Sequence, residues 1–148
     1  MKSTADPRPA NSPWIAPCLI VRDPAAALDF YERAFGFARG FRMQDAQGRL
    51  LYCEMHYQGQ RALMFLPEGT DKSPQTLGVP VSQRLYVYCD DVEDVFRRAT
   101  ASGATVESAL EDVFWGDRIC ALVDPDGYRW TFATKVGQFD PSKLPRRN

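Results

Sequence analysis

The sequence predicts an α+β fold of two βαβββ modules, whose mixed sheets form a concave cleft. Two observations lead to this prediction. Each half of the chain has the pattern of a strand, a helix and three further strands, and the two halves repeat at a constant spacing of 67 residues. Because the helix cap, the helix stop, the strands and the turn keep one spacing, we interpret the halves as a repeated module and not as chance similarity between two βα units. The pairs at this spacing include Asp23 with Asp90, Gly36 with Gly103, Cys53 with Cys120 and Phe65 with Phe132.

The first module begins with WIAPCLIVR, an apolar run with β-branched residues and the length of a strand. Asp23 is a good N-cap, and Pro24 stands at the first helical position. Apolar residues then recur at helical spacing until Gly36, which supplies the stop. Turns that contain Gly48 and Gly59 separate three predicted strands. These strands lie around 37–44, 50–57 and 61–66.

The second module repeats this plan. RLYVYC is a strand, Asp90 or Asp91 caps a helix, and Gly103 ends that helix. Strands are predicted around 104–108, 118–123 and 128–134. The last two are joined by Asp124–Gly127, a four-residue turn with Pro at its second position.

The segments between and beyond the modules are rich in Pro, Gly and polar residues, which are typical of linkers and tails. The predicted organisation is a flexible N-terminal tail at 1–13, a first module at 14–66, a linker at 67–82, a second module at 83–136 and a C-terminal tail at 137–148.

Composition excludes several classes of function. The 148 residues include 18 Lys and Arg against 19 Asp and Glu, a balance that argues against a nucleic-acid partner. No run approaches 18 apolar residues, and the N-terminus has no apolar signal region, so neither a membrane partner nor secretion is expected. The four cysteines form no CxxC and are expected to be reduced thiols. A cytoplasmic globular protein is predicted.

Period-two alternation predicts which side chains line the cleft. In RLYVYC, Leu85, Val87 and Cys89 should face the helices, which turns Arg84, Tyr86 and Tyr88 to the other side. In the last strand Trp130 and Phe132 should face the core, leaving Thr131 towards the cleft. The expected turns then pair Cys120 with Thr131, Arg118 with Ala133 and, in the first module, Cys53 with Met64.

Three stretches carry a resemblance to a known family: PCLIVRDPAAALDFYERAFGF, LYVYCDDVEDVFRRATASGATV and FWGDRICALVDPDGYRWTFAT. They resemble the vicinal oxygen chelate superfamily, which includes glyoxalase I, extradiol dioxygenases and the bleomycin- and fosfomycin-resistance proteins. The resemblance covers residues 14–136 and implies paired βαβββ modules, usually in a dimer. In metal-dependent members, one residue from the first strand and one from the last strand of each module hold a divalent ion.

Carried over by position, these ligand places fall on Ala16, Met64, Arg84 (or Gln83 after a slip) and Thr131. None is a usable anionic or imidazole ligand. The resemblance therefore predicts neither a metal nor another cofactor here. Glu54 and His56 form an i,i+2 pair on one strand face that can chelate, but a third ligand is not evident, and a solvent-facing histidine is the simpler interpretation.

Other candidate residues admit two interpretations. Trp115 can stack on a flat ligand or cover the core, and Arg118 can bind an anionic group or form a local ion pair with Asp117. Arg84, as a charge at an inward position, needs a partner such as Asp140 or a dimer mate. The thiols Cys53 and Cys120 have no activating base nearby and are expected to be inert.

We therefore predict a metal-free homodimer, similar to the bleomycin-resistance branch, that binds an aromatic or amphipathic small molecule in the cleft. The alternative is a metal-dependent lyase, dioxygenase or epimerase with an atypical site, and a third possibility is a closed cleft with only a dimerisation role. The residues predicted to bind the ligand are Arg84, Tyr86, Trp115, Arg118, Thr131, Cys53 and Met64.

Overall fold

The structure is a computed structural model, and it describes residues 5–146. The first module consists of β1 (Cys18–Val21), α1 (Pro24–Phe35), β2 (Ala38–Gln44), β3 (Leu50–Tyr57) and β4 (Gln60–Pro67). A short helix, α2 (Pro74–Leu77), follows. The second module consists of β5 (Arg84–Tyr88), α3 (Val92–Ala101), β6 (Thr105–Asp112), β7 (Asp117–Val123) and β8 (Arg129–Lys135). A short 3-10 helix at Pro141–Lys143 is the last element of the described residues.

The strands form two mixed sheets of the same topology. Their orders are β1-β4-β3-β2 and β5-β8-β7-β6. In each sheet the first strand of the module runs parallel to the last, and the remaining pairs are antiparallel. The predicted α+β fold of two βαβββ modules is therefore confirmed.

The helix boundaries follow local sequence signals. The Asp23 side chain accepts hydrogen bonds from the first backbone N–H groups of α1, and Gly36 ends that helix with φ of 70°. Asp91, not Asp90, caps α3. Asp23 and Asp91 are thus 68 residues apart, whereas the β3 and β7 cysteines keep a spacing of 67. The prediction of one ungapped spacing is wrong for the helices, because each helix is bounded by its own caps, and α3, at 10 residues against 12, is shorter than α1.

Both modules share one hydrophobic core. The two long helices pack against each other, and Arg98 of α3 donates a 3.2 Å hydrogen bond from Nε to the carbonyl of Arg33 on α1. The Phe35 ring of α1 lies 4.6 Å from Phe132 on β8. The helix-facing sides of both sheets therefore contribute to the same core, and neither long helix packs on the opposite face of either sheet, which we call its open face.

The two sheets meet at the free edge of β1. The Tyr128 hydroxyl donates to the carbonyl of Ile20 and accepts from its N–H group, both at 2.9 Å. This side chain satisfies backbone groups that an edge strand would otherwise expose. Among the described strands, no backbone ladder joins one sheet to the other.

The β3–β4 hairpin has a register one residue from that predicted. Its two turn residues, 58–59, both have positive φ, 51° and 77°, as a type I′ turn requires. A β-bulge next to Met55 then shifts the pairing by one residue. Cys53 therefore pairs with Phe65, and its predicted pairing with Met64 is wrong.

The β7–β8 hairpin differs for another reason. The Asp124 N–H group donates a 2.9 Å hydrogen bond to the Tyr128 carbonyl, so these residues form one more rung and only residues 125–127 remain in the loop. Gly127 has φ of 90°, which fits a three-residue hairpin loop. The Gly127 N–H group donates a 3.0 Å hydrogen bond to the Asp124 carbonyl, so the predicted four-residue turn is present, but the strand register predicted from it is wrong by one residue. The observed pairs are Cys120 with Phe132 and Arg118 with Thr134, where the sequence predicted Thr131 and Ala133.

The predicted linker contains ordered structure. Within it, Ser73 is fully buried and caps α2, and the Gln75 N–H group donates a 2.9 Å hydrogen bond to the Asp126 carbonyl. Beyond β8, the N–H groups of Val136 and Gly137 donate to the Gly116 carbonyl. Residues 1–4 and 147–148 of the predicted tails lie outside the described residues. Within 5–146 there is no helix of the length and apolarity needed to cross a membrane.

Candidate functional site on the open sheet faces

The alternation predicted for β5 is confirmed. Leu85 and Val87 pack against the core, whereas Tyr86 and Tyr88 are 44% and 61% exposed on the open face of the second sheet. Their position follows from the pleat, which turns successive side chains to opposite faces.

A buried carboxylate joins the aromatic side chains of this face. Oδ2 of Asp117 accepts hydrogen bonds from the hydroxyls of Tyr86 at 2.7 Å and Tyr88 at 3.0 Å. Nε1 of Trp115 donates to the same oxygen at 3.0 Å and to the Tyr86 hydroxyl at 3.1 Å. Asp117 is only 3% exposed, although the three aromatic side chains are at least 41% exposed. We call these four residues the Asp117 cluster.

The cluster keeps its tyrosines protonated. Burial and the hydrogen bond to Asp117 raise the pKa of Tyr86 far above its ordinary value of 10. The hydrogen bond to Asp117, followed by burial, raises the pKa of Tyr88. Both phenol groups are therefore neutral at physiological pH. Their hydrogen bonds to Asp117 hold the two rings in fixed positions.

Charged side chains occupy the other end of the same face. Glu107 of β6 accepts two hydrogen bonds from the Arg129 guanidinium, at 2.6 and 3.0 Å. Arg84 lies 3.6 Å from the same carboxylate. The suggestion that Asp140 pairs with Arg84 is therefore wrong, because Glu107 on β6 is the partner.

The remaining predicted ligand residues are distributed between the two sheets. Thr131, 4% exposed, pairs with Tyr86 across the parallel β5–β8 ladder and lies at the centre of the second sheet. Met64 lies on the first sheet, where it pairs with Cys18 and Glu54. The structure thus brings Tyr86 and Trp115 into contact, with Thr131 near them, and places Met64 on the other sheet.

The shifted registers move two predicted ligand residues away from the open faces. Cys53 is fully buried in the core beside Phe65. Arg118 lies on the helix side of its sheet, where it donates to Glu93 of α3 at 2.6 Å and to Asp112 at 2.7 Å. The predicted cleft positions of Cys53 and Arg118 are wrong, since a slip of one residue exchanges the two faces of a strand.

A second polar cluster lies on the open face of the first sheet. Oε1 of Glu54 accepts hydrogen bonds from the Tyr52 hydroxyl at 2.7 Å and from Nη1 of Arg61 at 3.2 Å. Burial alone would raise the pKa of Glu54, but these hydrogen bonds and the Arg61 charge lower it. Nε2 of His56 is 3.6 Å from the other carboxylate oxygen. A guanidinium at this carboxylate opposes a divalent cation there.

The residues present do not fit the metal that the resemblance implies. The four carried-over positions hold an alanine, a methionine, an arginine and a threonine: Ala16, Met64, Arg84 and Thr131. Within residues 5–146, no group of three or more His, Cys, Asp or Glu side chains has the geometry to hold a metal ion. We therefore derive no chemistry through a metal.

The hydrogen bonds of Asp117 to the aromatic side chains were not predicted from the sequence, where Asp117 was expected only as a partner of Arg118. The available signal was the alternation that placed Tyr86 and Tyr88 on one face together. The Asp117 contact could not be derived from sequence spacing, because Asp117 lies 29 and 31 residues from Tyr88 and Tyr86.

Comparison with protein families gives a match over most of the chain. The model described as Glyoxalase/Bleomycin resistance protein/Dioxygenase superfamily matches residues 13–132. An uncharacterized protein of Mycobacterium bovis is 34% identical over 138 residues, which are 89% of this chain and 90% of the relative. An uncharacterized protein of Mycobacterium tuberculosis is also 34% identical, over 89% of this chain and 80% of the relative.

Solved structures of similar fold include two at 25% identity or more. TioX from Micromonospora sp. ML1 is 29% identical, with a TM-score of 0.65 over 81% of this chain and 94% of that chain. A bleomycin-binding protein complexed with bleomycin is 25% identical, with a TM-score of 0.59 over 82% and 98%. A glyoxalase-related enzyme from Fulvimarina pelagi, 22% identical with a TM-score of 0.62 over 81% and 86%, shares the fold.

Proposed function

Because the chain belongs to the Glyoxalase/Bleomycin resistance protein/Dioxygenase superfamily, we propose that it is a metal-free member that binds an aromatic or amphipathic small molecule. The ligand contacts the open face of the second sheet at Tyr86, Trp115 and Thr131, with Arg84 at its edge. Met64 contributes from a first-sheet face.

The Asp117 cluster is the observation that carries this proposal. Three aromatic side chains that are at least 41% exposed are held by hydrogen bonds to one carboxylate. Fixed aromatic surfaces of this kind bind flat or amphipathic molecules with little loss of side-chain entropy. The similarity to a bleomycin-binding protein supports the same class of function.

The proposed absence of a metal rests on the chemistry of the carried-over positions. Alanine offers no donor, a thioether is a poor ligand for hard cations, and a guanidinium repels them. We also propose a cytoplasmic location, which the four free thiols support, since reduced cysteines are usual in that compartment.

We further propose a homodimer in which a second copy covers the open faces. Each face leaves large apolar side chains exposed, among them Phe41 at 63% on the first sheet and Tyr88 at 61% on the second. A first-sheet face of one copy placed opposite a second-sheet face of the other would enclose the ligand between them. Pockets normally bury most of their ligand, which a single open sheet face cannot do.

Isothermal titration calorimetry tests the binding function. The protein is titrated with bleomycin and with planar aromatic compounds, before and after dialysis against EDTA. We expect binding that EDTA leaves unchanged and that Trp115→Ala weakens about fivefold or more, equivalent to about 1 kcal/mol. Trp14→Ala is the matched control, because Trp14 is 72% exposed and precedes β1.

Two results would contradict the proposal. One is binding that EDTA abolishes and that a divalent metal restores, which would favour the metal-dependent lyase, dioxygenase or epimerase. The other is binding that Trp115→Ala leaves unchanged, which would move the ligand away from the Asp117 cluster. Sedimentation velocity tests the dimer separately, and a monomer at micromolar concentration would refute it.

A further inference from the structure

We propose that the Asp117 cluster recognises a cation: the ligand carries a protonated amine or another organic cation that binds Oδ1 of Asp117 and the faces of the surrounding rings. This inference rests on the proposed function, since it assigns a charge to the ligand of the same site. Asp117 was not among the ligand-binding residues predicted from the sequence.

The two oxygens of Asp117 are in different situations. All three side-chain hydrogen bonds go to Oδ2. No donor from residues 5–146 is bonded to Oδ1. Among residues 5–146, Nε of Arg61 is the side-chain polar atom that is both fully buried and without a hydrogen-bond partner. Oδ1 of Asp117 is therefore not fully buried, although Asp117 as a whole is only 3% exposed, and it is the oxygen that remains for a ligand.

The cluster concentrates negative charge at one point. The phenols of Tyr86 and Tyr88 and the indole of Trp115 are neutral donors, so none of them supplies a positive charge opposite the carboxyl group of Asp117. A carboxylate this deeply buried is costly unless it is paired as well as hydrogen-bonded. Aromatic faces attract cations in addition, most strongly where water is excluded. A cation at Oδ1 would pair with the buried carboxyl group and would also contact the aromatic faces.

Three positive side chains on the same face of this sheet also bear on the site. Arg84 and Arg129 both lie beside Glu107, at the opposite end of the face. Lys135 pairs with Asp117 across the β7–β8 ladder but forms no ion pair in the described structure. Lys135 is therefore the side chain that can compete with a ligand for Oδ1, and its removal should strengthen the binding of a cation.

A charge series of probes tests the inference directly. Naphthylmethylamine, naphthylmethanol and naphthoate share one aromatic ring system and differ in charge. Each is titrated into the full-length protein at pH 7, and binding is followed by tryptophan fluorescence. We expect the amine to bind about tenfold more tightly than the alcohol, and the carboxylate to bind most weakly.

Three variants then assign the preference to Asp117. Asp117→Asn keeps an oxygen acceptor for the cluster and removes the charge, so the amine should lose its tenfold advantage. Glu111→Gln removes the same charge from an exposed position on β6 and should retain the full preference. Lys135→Met should tighten binding of the amine about threefold or more and leave the alcohol unchanged.

The possible outcomes separate this inference from the proposed function. Equal binding of all three probes, weakened by Trp115→Ala, overturns the cation inference and leaves an aromatic binding site. Tighter binding of the carboxylate also overturns it. If no probe binds, the inference fails, while the bleomycin titration still decides the proposed function. The wild-type charge series stands even if Asp117→Asn does not fold.

Discussion

The hydroxyl of Tyr31 on α1 donates a 2.7 Å hydrogen bond to Oδ2 of Asp124, which follows β7 in the other module. Nε1 of Trp130 donates to the same oxygen at 2.9 Å. The N–H groups of Asp126 and Tyr128 donate to Oδ1, each at 3.0 Å. One buried carboxylate therefore organises the β7–β8 loop and connects it to the helix of the first module.

The hydrogen bond from Tyr31 to Asp124 should stabilise the folded protein substantially. Tyr31 is 1% exposed and Asp124 is 3% exposed, so water cannot replace the lost donor. We expect Tyr31→Phe to lower the free energy of unfolding by about 1.5–3 kcal/mol, the range for hydrogen bonds to charged groups. Urea denaturation followed by circular dichroism measures it.

Tyr57→Phe is the control for this prediction. Tyr57 packs on Phe37 at 5.2 Å between ring centroids, and its hydroxyl makes no hydrogen bond in the described structure. The same change of one oxygen atom should there cost less than about 0.5 kcal/mol. Equal losses in the two variants would show that the Asp124 contact contributes little.

Local signals made much of the fold predictable. The cap at Asp23 and the stop at Gly36 act on neighbouring backbone groups, so sequence spacing alone locates them. The β-bulge next to Met55 carries no comparable residue signature, and it exchanges the predicted faces for the part of the hairpin farther from the turn. For this reason Cys53 lies in the core although it was expected in the cleft.

The candidate site was predictable in part, for similar reasons. Alternation correctly turned Tyr86 to the open face, because a pleated strand requires it. The contact of Trp115 with Tyr86 was not predictable from the sequence, because β5 and the residues before β7 come together only in the folded sheet, on either side of β8. Arg118 was misplaced because Asp124 and Tyr128 form one more rung of the hairpin than predicted, which shifts the register of β7 against β8 by one residue.

The Glu107–Arg129 pair should make stability depend on pH. The hydrogen bond from Arg129 lowers the pKa of Glu107 below its ordinary value of 4.5. A depressed pKa means that the folded protein releases this proton more readily than the unfolded chain. The stabilisation is therefore complete above about pH 4.5 and is lost as the pH falls through the folded-state pKa.

Glu107→Gln should accordingly lose about 1 kcal/mol of unfolding free energy at pH 7 and progressively less below pH 4.5. Urea titrations between pH 7 and pH 3 measure this difference. Glu111→Gln on the same strand is the control, because Glu111 forms no ion pair among the described side chains. A difference for Glu107→Gln that stays constant down to pH 3 would contradict the prediction.

The cysteines should differ sharply in reactivity. Cys18 is exposed, whereas Cys53 and Cys120 are completely buried. Burial raises the pKa of Cys120 to about 11 and also raises the pKa of Cys53 and Cys89. With a thiol reagent at pH 8, we expect one rapidly labelled thiol in the native protein and four in urea. Cys18→Ser should abolish the rapid phase, and persistence of that phase would show that another thiol is accessible.

The three-residue loop of the second hairpin should tolerate substitution less well than the tight turn of the first. Gly127 and Gly59 both have positive φ, 90° and 77°, so alanine at either position costs about 1–2 kcal/mol through the backbone alone. A Cβ at Gly127 would also lie 3.0 Å from the backbone nitrogen of Gln75 on α2, whereas one at Gly59 meets no atom within 4 Å. Gly127→Ala should therefore lose about 1 kcal/mol more than Gly59→Ala, because α2 must shift and its hydrogen bond to the loop weakens. Parallel urea denaturation of the two variants gives this difference, and equal losses would mean that α2 moves aside without cost.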